Sequence, residues 1–237
     1  MNNILDQHQG EISKELSRDF FKSVYSYMFG ALAISGIVAY LTGTPEFFVK
    51  YFMKADLSGV SPIFWVVTFA PVGLALLIQT MYQRLSYPLL LLLFGGYAVL
   101  MGLSLSGILL VYSGAQVATT LLITAGAFGG MAILGYTTST DLTKMGSLLY
   151  MLFIGIFIAS IVNIWMESEG LDFIISFIGV FVFTGLTAYF MQQLKSTAQN
   201  QMLSAMDRSK MALVGGLILY ILFVNLFMSL LNLLGRD

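Results

Sequence analysis

The sequence predicts an all-α, polytopic membrane protein of seven transmembrane helices, and two observations carry that reading. Seven apolar stretches run through the 237 residues, and none has an ionisable side chain near its middle. A helical crossing of the hydrocarbon core needs roughly 20 such residues, and only backbone satisfied within its own segment can lie there. The composition agrees: 58% of residues are hydrophobic and 10% are charged, with a mean hydropathy of +0.87. A soluble domain carries about 25% charged residues.

Taken in order, the expected spans are 21–41, 61–82, 87–111, 115–136, 146–166, 172–193 and 212–234. Residues 1–20 precede them as a polar arm with Asp6, Glu11, Glu15 and Asp19. These acids do not suit a signal peptide, which needs a basic and then an apolar start. The arm reads as short, exposed and cytoplasmic, and residues 21–237 form the membrane domain. The segment 42–60, with Pro45, Lys50, Lys54 and Asp56, is a long polar loop. Pro88 opens the third span, where proline is tolerated. Short polar links occupy 83–86 and 137–145, and a longer one occupies 195–211.

Lys and Arg set the orientation. Of the eleven, Lys14, Arg18, Lys22, Arg84, Lys144, Lys195, Arg208 and Lys210 share the side of the N-terminus; Lys50, Lys54 and Arg236 do not. A cytoplasmic N-terminus follows. Glu167, Glu169 and Asp172 then face outward. Ala31, Ser35 and Ala39 repeat every four residues, as do Gly126 and Gly130, so both faces are expected to pack closely within the bundle. A homodimer face is the alternative use of the same pattern. Trp65 and Trp165 fall near span ends, as interfacial anchors do.

Several chemistries lack their residues. No cysteine is present, which excludes disulfides, thiolate catalysis and cysteine metal sites. The single histidine, His8, lies in the arm, so no span supplies a zinc-binding His-Glu-x-x-His helix or a histidine base. Asp172 stands alone at a span edge rather than in a catalytic pair. Neither enzyme activity, nor a bound metal, nor a cofactor is expected. A net charge of −1 gives no reason to expect nucleic acid. The lipid bilayer is the one partner that composition itself requires.

The polar residues inside spans are uncharged: Gln79, Ser160, Asn163, Thr184, Thr187, Asn225, Ser229 and Asn232. Asn225, Ser229 and Asn232 form one stripe. Such groups should point into the bundle or a wet cavity. Two uses remain open for Asn163, Thr184, Thr187, Asn225 and Ser229: interhelical hydrogen bonding, or lining a conduction path.

Three further stretches carry a resemblance. Gly135-Tyr136-Thr137-Thr138 with Asp141-Leu142 and Gly146 is one. Phe183-Thr184-Gly185-Leu186-Thr187-Ala188-Tyr189, then 192–195, is the second. Leu219-Tyr220, Phe223, Asn225-Leu226-Phe227 and Leu230-Leu231 form the third. Together with 103–112, ending Val-Tyr, they resemble the Bax inhibitor-1 family, particularly its bacterial members. The resemblance implies a seven-helix fold with the last helix central, and a bacterial inner-membrane location. It also implies a passive, pH-sensitive calcium leak with roles in ion homeostasis and stress response.

In that family pattern, one aspartate follows the Ala-Tyr of the sixth span and another follows Leu-Tyr-x in the seventh. The two share a proton and gate the path, since paired carboxylates raise one another's proton affinity. This chain has Phe190 and Leu222 at those gate positions. A bare ion faces a Born cost of order 20 kcal/mol in a low-dielectric medium, still several kcal/mol after relaxation, and calcium prefers charged oxygen ligands. The expectation is a weak or absent leak of calcium or other cations, with little pH dependence. The alternative is a non-catalytic regulator that binds membrane proteins, such as a quality-control protease or the translocation machinery, with the arm as a handle.

Overall fold

The computed structural model describes the backbone of residues 2–200 and 202–235 and the side chains of 14–200 and 202–235. The side chains of Asp6, His8, Glu11 and Arg236 lie outside that set. Nine helices are described: α1 (Asn2–Thr42), α2 (Pro45–Phe52), α3 (Pro62–Met81), α4 (Tyr87–Leu105), α5 (Ile108–Val111), α6 (Gly114–Thr137), α7 (Thr143–Met166), α8 (Glu169–Gln199) and α9 (Ala205–Leu234). Seven candidate spans emerge: Lys14–Thr42, Pro62–Met81, Tyr87–Val111, Gly114–Thr137, Thr143–Met166, Glu169–Gln199 and Ala205–Leu234. The protein is an integral membrane protein with seven candidate membrane-spanning helices.

Three polar segments are more ordered than expected. The arm continues the first span as one helix from Asn2, about 60 Å of helix at 1.5 Å per residue. Residues 45–52 of the first loop form α2, with Pro45 in its first turn and Thr44 Oγ1 accepting from Phe47 N. The expected link 195–211 shrinks to 200–204, because α8 and α9 both extend past the apolar boundary. Helical bonds are local, so a helix needs a cap rather than lipid to continue. Arg208 supplies one: Nη1 donates to Ala198 O and Nη2 to Asn200 O, closing the end of α8.

The chain forms two compact units, Met1–Ser113 with Ala198–Tyr220, and Gly114–Thr197 with Ile221–Asp237. In the first unit, α1 packs on α4, α4 on α3, and α2 on α3. The small row Ala31, Ser35 and Ala39 is buried as expected. Gly102 of α4 meets it so closely that a Cβ there would lie 2.7 Å from Ser35 O. Gly216 of α9 sits equally tight on Val24 O and the Tyr27 side chain. These contacts let backbones approach, the main source of helix association in lipid.

Pro71 lies inside α3 and is buried. It has no N–H, so the Val67 carbonyl four residues earlier loses its helical donor. Ser104 of α4 lies 2.9 Å from Val67 O and can donate to it, with its own Leu100 O at 3.0 Å as the competing acceptor. A neighbouring helix thus answers a backbone vacancy that lipid cannot.

In the second unit, α6 buries the row Thr120, Thr124, Phe128, Ala132 and Gly135. The expected packing of Gly126 and Gly130 within the bundle is corrected here: both are exposed, and a Cβ on either would meet nothing within 4 Å. They stand two residues off the buried row, about 200° around the helix. Phe128 instead makes the contact to α9, edge-on to Phe223 at 5.4 Å. The row with the larger side chains wins because it fills space.

Burial grades the spans. In an 18-residue apolar stretch of each span, 6% of residues are buried in α7, against 50% in α8 and 67% in α9. From Ala212 to Leu231, buried residues occur all around α9, which contributes to both units. A helix apolar on every side belongs inside a protein, and the last helix has that place here. Trp65 and Trp165 are exposed near the ends of α3 and α7.

Ser104→Ala should lower stability by about 1 kcal/mol in thermal unfolding, because Val67 O loses its donor. In a Pro71→Ala background, which restores the backbone N–H, the same change should have little effect. Equal losses in both backgrounds would refute the account.

Candidate functional site

Two of the stretches that carry the family resemblance, 135–146 and 183–195, meet in the second unit. Gly135, near the end of α6, lies against the backbone of Ala188 in α8, where any Cβ would collide. Gly146, in the first turn of α7, lies against the ring of Tyr189 in the same way. Gly185 receives Leu149 of α7. Two helices, α6 and α7, therefore converge on the segment 185–189 of α8, and at Gly135, which faces backbone, glycine is a steric requirement.

The link between α6 and α7 is tied to the end of α8 by polar bonds. Leu142 N donates to Gln192 Oε1 at 2.9 Å, and Gln192 Nε2 donates to Thr140 O at 2.7 Å. Lys195 Nζ donates to Tyr136 O at 2.8 Å and stands 5.2 Å from the Tyr136 ring centroid. It both caps α6 and makes a cation–π contact. Asp141 starts α7 by accepting from Thr143 N at 2.9 Å. The Thr143 hydroxyl and amide hold the Asp141 carboxyl below its ordinary range. Gln192 and Lys195 were visible only as motif letters, since bonds spanning some fifty residues leave no local pattern.

Phe190 and Leu222 are both buried. Phe190 meets Tyr150 of α7 edge-on at 5.7 Å and Tyr189 at 5.4 Å. Gln193 Nε2 donates to the Tyr189 hydroxyl on the neighbouring turn. Among the described residues the buried polar side chains, tyrosines aside, are all serines and threonines, and none is a carboxylate. Asp172, half-buried at the start of α8, is the carboxylate nearest to burial; the others described are exposed.

The expected path residues fall into three groups. Thr184 Oγ1, Thr187 Oγ1 and Asn225 Nδ2 donate to the carbonyls four residues back, Val180, Phe183 and Ile221, at 2.6, 2.7 and 2.8 Å. Such back-bonding keeps a polar group satisfied within its own helix. Asn163 Oδ1 accepts from Ser168 N at 3.1 Å, at the turn that ends α7. Across helices, Ser229 of α9 fits against Gly179 of α8, and Asn232 Nδ2 donates to Ser176 Oγ at 3.4 Å. The structure thus joins Ser229 and Asn232 to α8 and leaves Asn163 at a helix end.

The family model described as "Inhibitor of apoptosis-promoting Bax1" matches residues 17–237. The chain is 37% identical over 221 residues to "Inner membrane protein YbhL" of Escherichia coli (strain K12), covering 92% of this chain and 91% of that one. Uncharacterized proteins of Borreliella burgdorferi and Caulobacter vibrioides are 38% and 40% identical, over 98% and 93% of this chain and 97% and 89% of theirs.

Gln192→Ala should speed amide exchange of residues 138–142 about tenfold, as expected for losing a bond worth about 1.4 kcal/mol. Gln192→Glu, which keeps the acceptor and loses the donor, should fall between. The Asp141 cap is complete above the unfolded carboxyl pKa of about 3.9 and fades as pH falls through the lower folded value. Once corrected for intrinsic rates, exchange of the α7 first turn should therefore stay flat from pH 5 to 8.

Proposed function

The chain belongs to the Bax inhibitor-1 family, and from that premise we propose a passive cation leak that is weak and lacks a proton gate. The observation carrying this reading is the pair Phe190 and Leu222, both buried, where the family pattern places its acids. A site without titratable groups cannot change charge with pH. Neutral oxygens offset little of the cost of dehydrating calcium, and those of Thr184, Thr187 and Asn225 sit on side chains already bonded to their own helices. The N-terminus is cytoplasmic in this proposal, following the Lys and Arg distribution.

A second reading, a non-catalytic regulator of other membrane proteins, is favoured by α1. Residues 2–13 extend the first span as unbroken helix, about 18 Å of stiff handle for a protease or translocation partner.

In liposomes loaded with a calcium dye, flux should stay near background and change less than about twofold between pH 6 and 8. Steep, robust flux over that range would overturn the proposal. Phe190→Asp with Leu222→Asp should create pH-dependent flux, because the two carboxyls then share a proton. Removing residues 2–13 should leave flux unchanged; on the regulator reading it abolishes cross-linking to partners in native membranes.

A further inference from the structure

The loop that follows the first span ends in a hairpin with an exposed leucine at its tip. Met53 and Val60 pair as an antiparallel bridge, and Lys54 N donates to Gly59 O at 2.9 Å. At the turn, Leu57 N donates to Lys54 O at 2.9 Å. Asp56 Oδ1 accepts from the amide and hydroxyl of Ser58 at 3.1 and 2.8 Å. Leu57 itself stands at φ 56°, in the left-handed region that glycine and asparagine adopt more readily. Its side chain is 61% exposed. Glycine would hold the same turn without strain and leave no greasy surface. The leucine side chain therefore has a use outside the hairpin.

The base of the hairpin is fixed to a span end. Ser61, directly after it, donates from N to Phe52 O and from Oγ to Tyr51 O, both at 2.8 Å. Phe48 and Phe52 of α2 meet Phe64 of α3 edge-on at 6.3 and 6.0 Å. From Pro62 the 20 residues of α3 rise about 30 Å, the thickness of the hydrocarbon core. The hairpin base therefore lies at the hydrocarbon boundary. Trp65, exposed in the first turn of α3, marks the same level. From Val60 to Leu57 the extended chain reaches about 10 Å, and the headgroup layer is about 5–8 Å thick on each side. Even upright, the hairpin barely clears that layer, and a tilt keeps its tip within it.

We propose that residues 53–60 form an interfacial anchor, with the Leu57 side chain seated between lipid headgroups and acyl chains beside the start of α3. Lys54 and Asp56, both exposed, flank the tip. Their charges suit the headgroup layer and keep the hairpin from sinking deeper. The apolar surface of Leu57 is then covered by the same lipid that covers the exposed Ile63 and Val66 of α3. The proposal does not rest on the leak reading, and its test needs no flux.

The chain has no cysteine, so Leu57→Cys places a single nitroxide label on the full-length protein in vesicles of phosphatidylcholine and phosphatidylglycerol. Spin relaxation at that label should be faster with oxygen, which concentrates in lipid, than with a water-soluble nickel chelate. Ala55→Cys, exposed on the same hairpin, reports the height of the hairpin with Leu57 in place. Adding Leu57→Asn, which keeps the turn and removes the apolar tip, should raise nickel access at position 55 as the hairpin lifts into water. Nickel-dominated relaxation at position 57, or nickel access at position 55 unmoved by Leu57→Asn, would overturn the proposal. So would shielding of position 57 from both reagents, which a protein partner or a second copy of the chain would produce.

Discussion

Inside a bilayer no solvent is available to complete a hydrogen bond, and this constraint shapes most of the polar detail in the molecule. Several side chains that stray from apolar chemistry are tied to a carbonyl close by. Thr124, Thr184, Thr187 and Asn225 bond to the carbonyl four residues before them. Where proline removes a backbone donor, Ser104 of the next helix stands within reach of the carbonyl left behind. At the helix ends the same need is met by cations: Lys195 on Tyr136 O, Arg208 on Ala198 O and Asn200 O, and Lys210 on Gln83 O at 3.2 Å. Residues that read as orientation signals are thus also helix caps.

The second constraint is that lipid gives helices no hydrophobic reason to associate, so contact depends on how closely they approach. Glycine permits that approach at Gly102, Gly135, Gly146 and Gly216, each against a named neighbour. Gly126 and Gly130 have the right spacing and no neighbour. Spacing alone therefore does not decide which face of a helix is inward. The difference lies in what the rest of the helix offers: α6 turns its threonines and Phe128 inward, and the glycines are carried to the far side.

These two constraints meet at the convergence of α6, α7 and α8. Tight glycine contacts bring the α6–α7 link within reach of Gln192 and Lys195, and the resulting bonds hold Tyr189 and Phe190 beside Tyr150. An aromatic cluster surrounds Phe190. Its neutrality follows from residue identity. Its burial follows from packing.

Hydropathy by itself determined the seven spans, their order and the absence of charge from their middles, because the cost of placing an ion or an unpaired amide in hydrocarbon is large and local. Motif letters were enough for the family. Hydropathy fell short wherever polar residues continue a helix: in the arm, in α2, and between α8 and α9, where caps rather than apolarity set the limits. Only the tertiary structure decided which small-residue face is buried and why Gln192 and Lys195 stand where they do. Each of those depends on atoms brought together from distant parts of the chain, and no periodicity within one helix encodes which neighbour it will meet.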